Sequence, residues 1–185
     1  MMRFYFIAVF LMGWLWILSE NGALQGSDYF WKTSRFIASE KQNLQIELPV
    51  RLEPLREPDE GYTVYQAEGD NIFVDLHSES LYLPEDRGRY MQEGPQKRVL
   101  KTIGNYEVEN VTMTHQETAV VNHIPLRKFH FTGQQNGQDV EIEVVTVARK
   151  NLGWIFTFIY DTGNKEAERQ VEKGIASLQY AERAK

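Results

Sequence analysis

The chain has 185 residues, 42% of them hydrophobic and 12% aromatic, which is enough for one well-filled core and too little for two comfortable ones. Its formal net charge is -6, and no run of Lys and Arg is interleaved with aromatics, so the electrostatic footprint of a nucleic-acid binder is missing. Cysteine is absent, which excludes disulfides, thiolate metal sites, a cysteine nucleophile and the lipidated cysteine of a lipoprotein.

Residues 1–25, "MMRFYFIAVFLMGWLWILSENGALQ", place one Arg before an uncharged stretch from Phe4 to Leu18, with polar residues after it. That is the layout of an export signal. Fifteen residues reach only about 23 Å as a helix, short of a hydrocarbon core of roughly 30 Å, which suits a signal segment better than a standard spanning helix. Ala23 offers a cleavage position, but Asn21 stands where a second small residue belongs, and Trp14 and Trp16 suit the interfacial belt of an uncleaved anchor. The reading leaves both open: an exported, extracytoplasmic chain, either secreted or held to the cytoplasmic membrane by this segment. Residues 26–42 mix polar breakers with Tyr29, Phe30 and Trp31 without a clean period and read as a tether.

The domain is expected from residue 43 to residue 181. "LQIELP" alternates and stops at Pro49, "EPLREPDEG" is an acidic, proline-punctuated loop, and "YTVYQA" and "NIFVDLHS" flank a turn-rich "EGDN" as a hairpin. "PEDRGRYMQEGPQKRVLKTIG" carries helix start signals at Pro84, Glu85 and Asp86 and stop signals at Lys101 and Gly104, with Gly94 and Pro95 kinking or splitting it. Four antiparallel strands follow: "YEVENVTMT", "AVVNHIPLRKFHFTG", "DVEIEVVTVARK" and "WIFTFIYDT", joined by short turns such as the one at Asn136-Gly137. Finally "NKEAERQVEKGIASLQ" sets Ala167, Val171, Ile175 and Leu178 on one helical stripe.

The segment "WIFTFIYDT" has aromatics at 154, 156, 158 and 160 and apolar residues between them, so both faces of the strand need covering. The final helix covers one, and the 84–104 helix is the candidate for the other. The expectation is therefore an α+β fold, a three-layer α/β/α sandwich around a central, mostly antiparallel sheet.

This order of elements, with "NHIPLRKFHF" and "WIFTFIYDTGNKEAERQVEKGIASLQ" as the stretches that carry it, resembles the PsbP-like superfamily, which includes DcrB-like bacterial envelope proteins and a eukaryotic Ran-binding nuclear-import factor. It spans roughly residues 43–180. His123 stands where a glycine is more usual, and "SLQYAERAK" lacks the aromatic that often follows the serine. The resemblance implies an α/β/α sandwich acting as a non-catalytic binding or assembly module, and it supplies no catalytic residue.

The chemistry-bearing residues lead to the same reading. His123 and His130 lie seven apart, so on one strand they face opposite sides, and His77, His115 and His123 could meet an ion only through tertiary folding. Glu107 with Glu109, and Glu141 with Glu143, each place two carboxylates about 7 Å apart along one strand face, a separation that inverting glycosidases use and that half-solvated strands show routinely. G-x-S-x-G, H-E-x-x-H, Walker and G-x-G-x-x-G motifs are absent. Asn110-Val111-Thr112 matches a glycosylation sequon by coincidence with a strand. The basic cluster Lys97, Arg98 and Lys101 on the expected first helix could meet an anionic lipid or an acidic partner, although a solvated helix face explains it more cheaply. The expected function is a non-catalytic exported binding or assembly module of the bacterial envelope, with no metal and no cofactor. The alternative is an envelope hydrolase using the strand carboxylates or histidines.

Overall fold

A computed structural model describes residues 32–39, 42–55, 62–69, 71–81 and 106–180. The expected export segment, the expected helix over 84–104 and the Lys97, Arg98 and Lys101 cluster lie outside the described residues.

The strands in chain order are β1 (Lys32–Ser39), β2 (Gln42–Leu48), β3 (Glu53–Pro54), β4 (Tyr62–Glu68), β5 (Phe73–Ser80), β6 (Val108–Val121), β7 (Ile124–Gln135), β8 (Gln138–Arg149), β9 (Leu152–Asp161) and β10 (Gln179–Tyr180), with a helix α1 (Lys165–Ala176) between β9 and β10. One sheet has seven strands in the order β3-β4-β5-β9-β8-β7-β6; the other has three, in the order β1-β2-β10. Every pairing among them is antiparallel.

The three-layer α/β/α expectation is thereby corrected. Among the described residues there are ten strands and a single helix, a β-rich fold. The layer over the aromatic face is shared by α1 and β2, because Leu44, Ile46 and Leu48 of β2 are fully buried in the same cluster as Trp154, Phe156 and Phe158. The stretch read as a tether contributes to this. Lys32–Ser39 pairs with β2 from Lys32↔Leu48 to Ser39↔Gln42, which satisfies backbone groups that β2 would otherwise leave open. The lack of a clean alternation in its sequence hid this strand.

Helix α1 follows its sequence signals. The Asn164 side chain caps it by accepting from the Ala167 N–H at 3.1 Å, Glu166 and Glu168 sit in the first turn and Lys173 in the last, matching the helix dipole. Its buried stripe is Ala167, Val171 and Ile175, continued by Leu178, and it faces β2 and β9. Gly174 permits the close approach to β2, since a Cβ there would lie 3.0 Å from Leu48 Cδ2.

β9 sits mid-sheet between β5 and β8 and is buried from Leu152 to Tyr160. Phe156 and Phe158 face α1 and β2, while Ile155 and Ile159 join Phe129, Phe131, Ile142 and Val144 in a second cluster on the opposite face. The register Val145↔Phe156 puts Val145 and Val147 on the aromatic side.

A second correction concerns residues 119–133, read as one strand. Asn122 and His123 have φ of 46° and 65°, the positive values that a two-residue hairpin turn requires, and they separate β6 from β7 at Val121↔Ile124. His123 is therefore a turn residue. The Asn136-Gly137 turn repeats this geometry between β7 and β8, with φ of 53° and 80°.

Candidate functional site

Strands β6, β7 and β8 carry the sheet beyond the flank of α1, so the face that β9 buries under the helix becomes open toward β6. Three cross-strand rows record the change. One runs Phe156, Val145, Lys128, Glu117; the next runs Phe158, Glu143, His130, His115; the third runs Tyr160, Glu141, Thr132, Thr112. Each begins in aromatic core and ends in polar residues at the sheet edge. Glu168, Val171, Glu172 and Ile175 of α1 form the facing wall of a groove of about 350 Å³.

Several of the groove's polar groups pair with each other or with neighbours at its rim. His130 receives the Thr114 hydroxyl contact at Nδ1, 2.7 Å away, and lies 3.5 Å from Glu141 Oε2 through Nε2. Lys128 Nζ is 3.3 Å from Glu117 Oε1. The Gly163 N–H donates to Glu141 Oε1 at 3.4 Å, and Lys165 Nζ is 2.6 Å from Glu168 Oε2. Burial raises the Glu143 carboxyl from 4.5 to about 7; Lys128 pulls it down, and Glu117 and Glu172 push it further up. The Tyr160 hydroxyl is also raised above its ordinary value, first by burial and then by Glu141 and Glu143, so it stays protonated.

Of the residues singled out in the sequence, His115, His130, Glu141 and Glu143 meet here. His77 does not, being on β5 with Nε2 2.7 Å from the fully buried Asp75 Oδ2. Asp75 also accepts from the Tyr106 hydroxyl at 2.8 Å and from Gln66 Nε2 at 3.1 Å, which satisfies its other oxygen. His123 sits apart in its turn, and the sequence pair Glu107 and Glu109 is not a strand pair, because Glu107 precedes β6 in a turn with φ 55°. Among the described residues, no group of three or more His, Asp or Glu side chains is placed to hold a metal ion.

Lys128, Tyr160, Glu117, Glu168 and Glu172 were missed by sequence reasoning. Two signals pointed to them: Lys128 and His130 alternate on one strand face as Glu141 and Glu143 do, and Glu168 and Glu172 are four apart on one helix flank.

No family model matches this chain. No curated protein matches it either. Similar solved structures include the Ran-binding protein Mog1p of Saccharomyces cerevisiae, at 10% identity and TM-score 0.48, covering 80% of this chain and 95% of that one. They also include LpqN of Mycobacterium tuberculosis, involved in cell envelope biogenesis, at 14% identity and TM-score 0.44, covering 84% and 96%. A protein of unknown function from Pseudomonas aeruginosa follows at 11% and 0.43, covering 84% and 99%. At these identities and scores the likeness assigns neither family nor activity.

Proposed function

We propose that the chain is a non-catalytic, extracytoplasmic binding module whose ligand enters the groove between α1 and the β6–β8 end of the large sheet. The observation that carries this reading is the lining itself: five carboxyl groups, Glu117, Glu141, Glu143, Glu168 and Glu172, against the Lys128 ammonium in the lining and the Lys165 ammonium beside Glu168. Such a concavity favours a ligand presenting cationic groups. Mutual pairing of Thr114, His130 and Glu141, and of Lys128 with Glu117, supports recognition over turnover, since these groups are engaged with each other. Lys97, Arg98 and Lys101, which lie outside the described residues, remain part of the proposal as candidate contacts for an anionic partner.

The test is calorimetric titration of the full chain with a short oligolysine peptide and, as control, an uncharged oligoserine. Oligolysine should bind with an affinity that falls as salt rises, and Glu168→Gln with Glu172→Gln should weaken it further. Equal binding of both peptides, or of neither, sinks the cationic assignment.

One observation favours a hydrolase instead. Glu143, whose carboxyl burial raises to about 7, stands on the same strand face as Glu141, a pairing of carboxyls in which Glu143 can donate a proton. Turnover of a chromogenic glycoside that Glu143→Gln abolishes would establish that reading in place of binding.

A further inference from the structure

We infer that β6 is a dimerisation edge, pairing antiparallel with β6 of a second copy about a two-fold axis at Thr118. Among the described residues no strand lies beyond β6 in the large sheet. Edge strands that must stay single are usually blunted by Pro, Lys or bulges. β6, "VENVTMTHQETAVV", contains no Pro, Lys or Arg. Its register irregularities fall between Glu109 and Thr112 and between Met113 and His115, leaving His115–Val121 regular.

The hairpin fixes which backbone groups face outward. In a two-residue hairpin the closing pair, Val121 with Ile124, exchanges hydrogen bonds, and alternate residues then turn their N–H and C=O away from the partner strand. The outward residues are therefore Val120, Thr118 and Gln116. Pro125 opposite Val120 agrees with this, since an N–H there would not point toward β6. All three are exposed, Val120 by 69%.

The edge is self-complementary about Thr118. Two copies related by a two-fold axis normal to the sheet place Thr118 against Thr118 and Gln116 against Val120, so every outward group of one strand meets an outward group of the other. Glu117 falls opposite Ala119 and His115 opposite Val121, so no like charges face each other, whereas centring on Glu117 would oppose two carboxylates. Thr–Thr is a favoured cross-strand pair. The exposed Val120 becomes covered. This inference does not depend on the groove's ligand, but the axis would set two grooves side by side on one face of a continuous sheet.

The absence of native cysteine allows a direct test on the full chain in intact expressing cells. Thr118→Cys treated with a short bismaleimide should give a denaturation-resistant band at twice the chain mass, and Gln138→Cys at the exposed hairpin should not. Thr118→Pro removes an N–H that points away from β7, so it leaves the β6–β7 ladder intact while blocking the edge. Combined with Ala119→Cys as reporter, it should lose at least ten-fold of the dimer band given by Ala119→Cys alone. Val120→Lys with the same reporter should act alike. Circular dichroism of the proline variant checks its folding, and the lysine variant covers the case in which that variant does not fold. A Thr118→Cys band absent, a band at another mass from a foreign partner, or a dimer that survives Val120→Lys overturns the inference.

Discussion

β9 and β6 belong to the same seven-stranded sheet and differ in almost everything else. β9 is buried from Leu152 to Tyr160, whereas from Glu109 to Val121 β6 has no buried residue. β9 carries Trp154, Phe156 and Phe158 under α1 and β2; β6 carries Thr112, His115, Gln116, Glu117 and Thr118 into solvent. The same hydrogen-bonded ladder thus serves two purposes. The middle of the sheet supplies apolar burial that holds the domain together, and its outer end has little core to serve, leaving its side chains available for recognition.

The sharpest way to break that contrast is to truncate β9. Phe156→Ala or Phe158→Ala should cost about 3 to 5 kcal/mol, since each leaves a cavity where packing is complete. Urea unfolding of the variants measures this, and an unshifted midpoint would remove β9 from the core.

Next in size is the boundary between the two regions, at Glu143. Its folded-state pKa of about 7 exceeds the ordinary 4.5, so the folded chain holds the extra proton between those values. Stability from this group is intact below about pH 4.5 and falls as pH rises toward 7, the direction for a carboxyl raised by burial. Glu143→Gln should be the more stable protein at high pH, by a margin that grows by about 2 kcal/mol between pH 5 and pH 8. Denaturant unfolding of both proteins at the two pH values reads the difference, and a margin independent of pH would contradict it.

Smaller again is the cap of α1. Asn164→Ala removes the acceptor for the Ala167 N–H and should cost about 1 kcal/mol by thermal unfolding. At the bottom of the scale, Glu117→Gln should change stability by less than about 0.5 kcal/mol, because its pairing with Lys128 is solvent-exposed. A large loss there would mean that β6 serves the core after all.

The central half of this contrast was legible in the sequence. The aromatic alternation of β9, the Asn136-Gly137 turn and the stripe from Ala167 to Leu178 each carry a strong period or a specific turn chemistry, and each stands where expected. Two features were hidden for physical reasons. The Asn122-His123 turn lacks the glycine that usually announces positive φ, so the end of β6 reads as part of β7. β1 joins through backbone pairing with β2, and "KTSRFIAS" carries no clean alternation that would announce a strand. The groove was half visible: Glu141 and Glu143 were noticed as a pair, but bringing them to His130, His115 and the flank of α1 required the register of three strands and the placement of the helix. Periodicity says which face a residue takes, not which neighbours share it.

The central claim is that the outer face beside α1 is where this chain meets its ligand. A photo-crosslinking residue placed in the full chain at His115, on β6, and at Glu172, on α1, brackets the groove from both walls, with Gln138 at the far hairpin as control. The account predicts a common adduct from 115 and 172 that weakens with salt and is absent from 138. Adducts from 138 with none from either wall would contradict it.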